Sequence, residues 1–251
     1  MRPSIELGHE EARRALVEIL RGAHAGELGA ALAYDGHWRS LRNHDEIAEV
    51  HQIALDELAH RVCVGEMLAE LGVEPDPWRE RCMFAIGTAI SWLCRVGGWF
   101  VPMYGAGRLE SGNVREYEDA ARFAVLAGYG CFASELLHLA EVEWDHERYF
   151  RSKAEAHWLG ALVPLWSAPP ARETIRERFD DFLSLRAFWR RRVSVAPLSS
   201  SSPSPSPLGS DPLARSGSCR RARRHETASE RIRPIPCPQT SRRYPVHYGR
   251  S

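Results

Sequence analysis

The chain has 251 residues, 44% of them hydrophobic and 26% charged, with 33 bases against 33 acids. That balance suits a globular protein and excludes disorder throughout. The zero net charge hides an asymmetry: residues 194–251 carry ten arginines against Asp211, Glu226 and Glu230, leaving residues 1–193 with 23 bases against 30 acids.

Cysteines stand at 63, 82, 94, 131, 219 and 237 with no CxxC among them, so no zinc ribbon or rubredoxin-type iron site can be built from local pairs. A reducing cytoplasm is the expected compartment. The N-terminus, MRPSIELGHEEARR, has acids where a secretory signal needs bases and no apolar run behind it. The longest largely apolar stretch, Met83 to Cys94, falls well short of the ~18 residues that span a bilayer.

In chain order, alanine and leucine recurring three and four apart predict a helix from about Glu10 to Tyr34 and a second from about Asp45 to Leu71. Gly72, Pro75 and Pro77 stop the second helix. A third begins near Trp78 and stays apolar through Phe100; Pro102, Gly105 and Gly107 are expected to kink it before it resumes toward Glu110 and Ala127. A fourth, from about Cys131 to Ala156, turns Leu136, Leu137, Ala140, Trp144 and Phe150 toward a core. Four long helices predict an all-α four-helix bundle over residues 1–193. A short helix from about Thr174 to Phe188, with Ile175, Phe179, Phe182 and Leu183 on one side, is expected to pack across it. Residues 194–251 hold 13 serines and 9 prolines, a composition that predicts a disordered tail. Its RRARR at 220–224 reads as solvated charge rather than a nucleic-acid site.

Six residues carry chemistry: Glu27, Glu57 with His60, Glu110, and Glu143 with His146. Residues three apart share a helix face, so each Glu-x-x-His presents a carboxylate and an imidazole together. A single such pair is common on solvated faces. Here there are two, and each is preceded at hairpin distance by a glutamate, 30 residues in the first half and 33 in the second. At ~1.5 Å per residue a hairpin of that length returns to its starting level, so both halves can present their ligands at one height. One Glu from each of two helices and a Glu-x-x-His from each of the other two form the ligand set of dinuclear carboxylate proteins. Four carboxylates also balance two divalent cations. Oxygen and imidazole ligands favour iron or manganese over thiolate-seeking metals, with zinc also compatible with the donor set.

Glu110 is followed by Ser111 and Gly112, which leaves Glu116 and Glu118 as alternatives in the third helix. Asp56 is placed to hydrogen-bond an imidazole N–H, four residues before His60. Tyr34 and Tyr117, each seven residues after a ligand glutamate, line the cavity or pack the core. His24, His51 and His138 read as surface or packing residues.

With these residues in place, the stretch from about Glu10 to Arg151 resembles the ferritin-like di-iron superfamily, with DELAHRVCVGEMLAELG and AEVEWDHERYF as its second- and fourth-helix signatures. The interval from Glu57 to Glu110, followed by Tyr117, is more similar to the demethoxyubiquinone hydroxylase family than to rubrerythrin. The resemblance implies two iron ions that use dioxygen and an external electron donor to hydroxylate a quinone-like or other apolar substrate. The alternatives are a rubrerythrin-like peroxidase and a ferritin-like iron-binding or storage protein. The apolar stretch from Met83 to Val101, with Trp92, Trp99 and Phe100, is expected to be buried in the bundle or a homodimer interface, with a greasy substrate or a peripheral membrane contact as the other readings.

Overall fold

The computed structural model describes residues 7–194, and its regular elements are helical. Six α-helices follow one another: α1 (His9–Trp38), α2 (His44–Glu70), α3 (Pro77–Cys94), α4 (Phe100–Leu126), α5 (Ala133–Ala156) and α6 (Thr174–Ser194). Single 3-10 turns lie at Gly130–Phe132 and Trp158–Ala161. The tail expected to be disordered lies, beyond Ser194, outside the described residues.

Side chains at the helix starts supply local reasons for these boundaries. Asn43 accepts from the amides of Asp45 and Glu46 at 2.9 and 3.1 Å and so starts α2. Asp76 does the same for α3, accepting from Trp78 and Arg79, with Pro77 in the first position where its missing N–H is no loss.

The single kinked helix expected from Trp78 onward is in fact two. Residues 95–99 form a turn in which Gly98 takes φ +73°, a conformation that L side chains rarely adopt. Pro102 lies in the first turn of α4, where four backbone N–H groups lack helical partners in any case, so it begins this helix rather than bending it.

The bundle is made by α1, α2, α4 and α5. α1 packs on α2, α4 packs on α5, and α1 meets α4. Two apolar clusters fill it. One contains Leu16, Leu20, Val64, Leu68, Val114, Phe123, Leu136 and Ala140, with Ile175, Phe179 and Phe182 of α6 closing it; the other contains Tyr34, Ile53, Ala54, Met103, Ala106 and Phe150. On each of the four helices a short segment separates the two clusters, and all six chemistry-bearing residues fall in those segments.

α3 lies outside the ring, against α1. Burial in the bundle, expected for Met83 to Val101, holds for Phe100 at the start of α4 but not along α3: there only Gly87 and Cys94 are buried, while Trp92 is 64% and Phe84 54% exposed. The reason is how α3 docks. A β-carbon on Gly87 would lie 2.5 Å from the Gly29 carbonyl oxygen, and one on Gly36 would lie 2.3 Å from that of Ser91. The two helices meet along their smallest residues, which sends the large ones outward. Gly87→Ala gains at most ~1 kcal/mol of helix propensity. It must push two backbones apart, an overpacking cost of about 1–3 kcal/mol. The expected result is a lower Tm for this variant, read by thermal denaturation followed by circular dichroism.

Candidate metal centre

The structure brings the six residues together. Glu27, Glu57, His60, Glu110, Glu143 and His146 are all at most 5% exposed. Their ligand atoms form two groups, Glu27, Glu57, His60 and Glu143 in one and Glu57, Glu110, Glu143 and His146 in the other, each with its atoms within 4.8 Å of one another. Glu57 and Glu143 belong to both groups. Neither contains a cysteine.

α2 and α5 approach each other through these side chains. His60 Nδ1 lies 3.0 Å from Glu143 Oε1, and His146 Nδ1 lies 3.3 Å from Glu57 Oε1. The two imidazoles sit face to face with centroids 6.0 Å apart. On the other side the two tyrosines cross: Tyr34 of α1 donates its hydroxyl to Glu110 of α4, and Tyr117 of α4 donates to Glu27 of α1. Each tyrosine thus serves the glutamate of the opposite half, and the pseudo-repeat in the sequence becomes a reciprocal pairing in space.

Glu110 occupies the α4 position in the cluster. Glu118 is instead paired with Arg178 and Arg122, and Glu116 lies nearer the surface beside Glu27. Asp56 contacts an imidazole, but that of His146 on α5 rather than of its own-helix neighbour His60: Oδ2 lies 3.3 Å from Nε2. Nε2 then carries the proton, and the Nδ1 lone pair faces inward. Burial works against the Asp56 carboxylate, but hydrogen bonds from His146 and Gln52 outweigh it and lower its pKa. Asn113, one turn after Glu110, was not singled out from the sequence; its amide donates to Glu110 Oε2 at 2.9 Å and reaches Glu143 Oε2 at 3.5 Å. Its position three residues from a cluster glutamate was the available signal. His24 is buried against Glu80 at 2.7 Å, and His51 and His138 are exposed.

Electrostatics set these carboxylates apart from the other buried acids. Glu118, Glu141 and Glu147 each meet an arginine, at 2.5 Å in the case of Arg176 with Glu141 and 2.7 Å for Arg151 with Glu147. The four cluster carboxylates meet no lysine or arginine among the described residues. Burial pushes the Glu57 and Glu110 carboxyls well up from their usual range, and the charge of Glu143 adds to this in both. Burial also raises Glu143, to about 8. Glu27 Oε2, both oxygens of Glu57 and His146 Nδ1 are buried without a hydrogen-bond partner. Orphaned acceptors of this kind are rare in a folded interior. They fall in the two donor groups, Glu27 in one, His146 in the other and Glu57 in both, and so fit a pair of cations, one in each group.

Fold and cluster together define an all-α bundle whose interior can hold metal. Residues 14–101 match the family model for COQ7, the ubiquinone biosynthesis protein, and that stretch is similar to a hydroxylase family of the ferritin-like di-iron superfamily. The matched stretch contains Glu27, Glu57 and His60, while Glu110, Glu143 and His146 lie beyond it. No curated protein and no solved structure matches the chain.

Proposed function

We propose that this chain is an oxygen-dependent di-iron hydroxylase of a quinone-like or other apolar substrate, with Glu27, Glu57, His60, Glu110, Glu143 and His146 as its metal ligands. One observation carries the reading: two four-residue donor groups, sharing Glu57 and Glu143, buried together with their inward acceptors unpartnered. Glu27, Glu57, His60 and Glu143 would hold one ion, and Glu57, Glu110, Glu143 and His146 the other. Two iron ions, with manganese as the alternative, would supply the redox chemistry that inserts one atom of dioxygen into the substrate and releases the other as water, with electrons from an external donor.

The protein's own part is positioning and exclusion of water. Tyr34 and Tyr117 fix one oxygen of Glu110 and of Glu27 respectively, leaving Glu27 a second oxygen without a partner. Asn113 steadies Glu110 from its own helix, and Asp56 sets the His146 tautomer from outside. The apolar clusters above and below close the level between them off from solvent on those two sides. The outward face around α3, with Trp78, Phe84, Ile86, Trp92, Leu93 and Val96, is the surface for a peripheral membrane contact or a second copy of the chain. No helix among the described residues is long and apolar enough to cross a membrane.

The test is the quinone profile of cells with and without the gene. Accumulation of a precursor one hydroxyl group short, reversed by the intact gene and not by the His146→Ala variant, is the expected result. An unchanged profile sinks the quinone reading in favour of the peroxidase or storage alternatives.

A further inference from the structure

A slot of about 60 Å³ opens between α1 and α4 and ends on the cluster. Its α1 wall is Gly22 and Gly26, one helical turn apart, and its α4 wall includes Asn113, Glu116 and Tyr117. Gly22, Gly26, Asn113 and Glu116 are half-buried, so the slot runs inward from the surface. Glu27 is its floor: it is 3% exposed, Tyr117 holds Oε1, and Oε2 has no hydrogen-bond partner.

The space exists because side chains are missing. A β-carbon on Gly26 would have no atom within 4 Å, and one on Gly22 would meet Glu116 Oε1 at an ordinary 3.6 Å. Gly29, by contrast, is closely packed, with the Met83 carbonyl oxygen 3.2 Å from where its β-carbon would sit. Glycine inside a helix costs stability relative to alanine. At Gly26 no packing contact accounts for that cost.

We propose that this slot is the port through which dioxygen, or another ligand of two or three atoms, reaches the cluster, and that Gly26 keeps it open. The inference rests on the reading of the cluster as a metal centre. Size sets the ligand class: 60 Å³ holds a few waters, whereas a benzene ring occupies a cavity of about 150 Å³. A ring-bearing substrate therefore does not pass through the slot as it stands. The port opens on the α1–α4 side, over Glu27, whose unpartnered oxygen lies buried beneath the floor, and not on the side of α2 and α5 that carries the imidazoles.

The experiment uses the full chain, loaded anaerobically with ferrous ion, in four forms: unsubstituted, Gly26→Ala, Gly26→Leu, and Gly112→Leu. Gly112 is exposed on α4 with open space around it and serves as the control. Metal content and the Tm of the metal-free chain report folding and binding separately from access. All four are expected to bind the same amount of iron, with Gly26→Ala melting no lower than the unsubstituted chain. Oxidation by dissolved oxygen, followed by stopped-flow absorbance, slows by about tenfold in Gly26→Leu, equivalent to ~1.4 kcal/mol of barrier, and by less in Gly26→Ala. Azide affinity of the oxidised centre falls in the same order, and Gly112→Leu changes neither. If Gly26→Leu takes up iron fully and both readouts match the unsubstituted chain, the port is elsewhere and only this proposal fails. Should leucine prevent folding, an unchanged rate in Gly26→Ala overturns it equally. An unsubstituted chain that binds no metal removes the port and the metal-centre reading together.

Discussion

Alanine at His60 or at His146 lowers bound iron from about two ions per chain to about one, whereas alanine at Glu57 or Glu143 removes nearly all of it, as expected for a dinuclear carboxylate site. The asymmetry follows from the grouping of donors. Each histidine belongs to a single four-residue group, while Glu57 and Glu143 belong to both. Loss of an imidazole leaves the other group intact; loss of a shared carboxylate leaves each group one donor short and unbalances the charge that holds two cations together. Anaerobic loading, removal of free metal and elemental analysis read the stoichiometry, and the Tm of each metal-free variant shows that the bundle has folded. Full occupancy in both histidine variants would mean that these six residues are not the ligands. Equal loss in all four variants would mean that the two positions do not fill independently.

Much of this centre was legible in the sequence because helical periodicity and hairpin length are both arithmetic. Glu57 with His60, and Glu143 with His146, had to share a face, and 30 or 33 residues bring a hairpin back to its starting level. What lay across helices was not legible. Asp56 was read toward His60, four residues away on its own helix, but the closer imidazole is His146, ninety residues away on α5. The crossed tyrosines belong to the same category: spacing placed Tyr34 and Tyr117 two turns beyond Glu27 and Glu110, and only the packing of α1 on α4 shows that each serves the other's glutamate.

The fold departs from the sequence reading where a residue type has two physical meanings. Proline after an apolar run signals either a kink or a first turn. Pro102 is the latter because the Gly98 turn has already ended α3. An apolar helix signals either burial or an exposed face, and α3 takes the second because Gly87, Gly29 and Gly36 let it dock on its small side. Periodicity records which residues share a face; it does not say which face meets the neighbour.

Without metal, the chain loses stability as pH rises from about 6.5 to about 8. The carboxyl of Glu143 is pushed up from its usual 4.5 to about 8, first by burial, and Glu57 and Glu110 move in the same direction. Each binds its proton more tightly in the folded chain than in the unfolded one. Above the unfolded value the folded state holds more protons, so stability falls with rising pH until the folded pKa is passed, by about 1.4 kcal/mol per pH unit for each group that titrates. His37 acts in the opposite sense: burial lowers it from 6.5 to about 4, so the stability it contributes is lost as pH falls through that interval. Asp56, Asp76 and Glu80 are lowered as well, and their effect lies below the usual carboxylate range. Burial raises Glu116 and Asp145 as well, so a variant within the cluster is needed to assign the trend above pH 6.5 to it. One group titrating across that interval shifts Tm by roughly 4–8 °C, at about 2–4 °C per kcal/mol for a chain of this size. Iron reverses the trend, because cations need the ligands deprotonated and bind more tightly as pH rises. The difference in Tm between loaded and metal-free protein accordingly widens from pH 6.5 to pH 8. Glu57→Gln separates the causes: it raises the metal-free Tm at pH 8 by removing a carboxyl whose ionisation burial opposes, while abolishing the gain on adding iron. Calorimetric scans of both forms at the two pH values make the comparison, and a metal-free Tm that holds steady or climbs over this interval would show that the carboxylates carry no such strain.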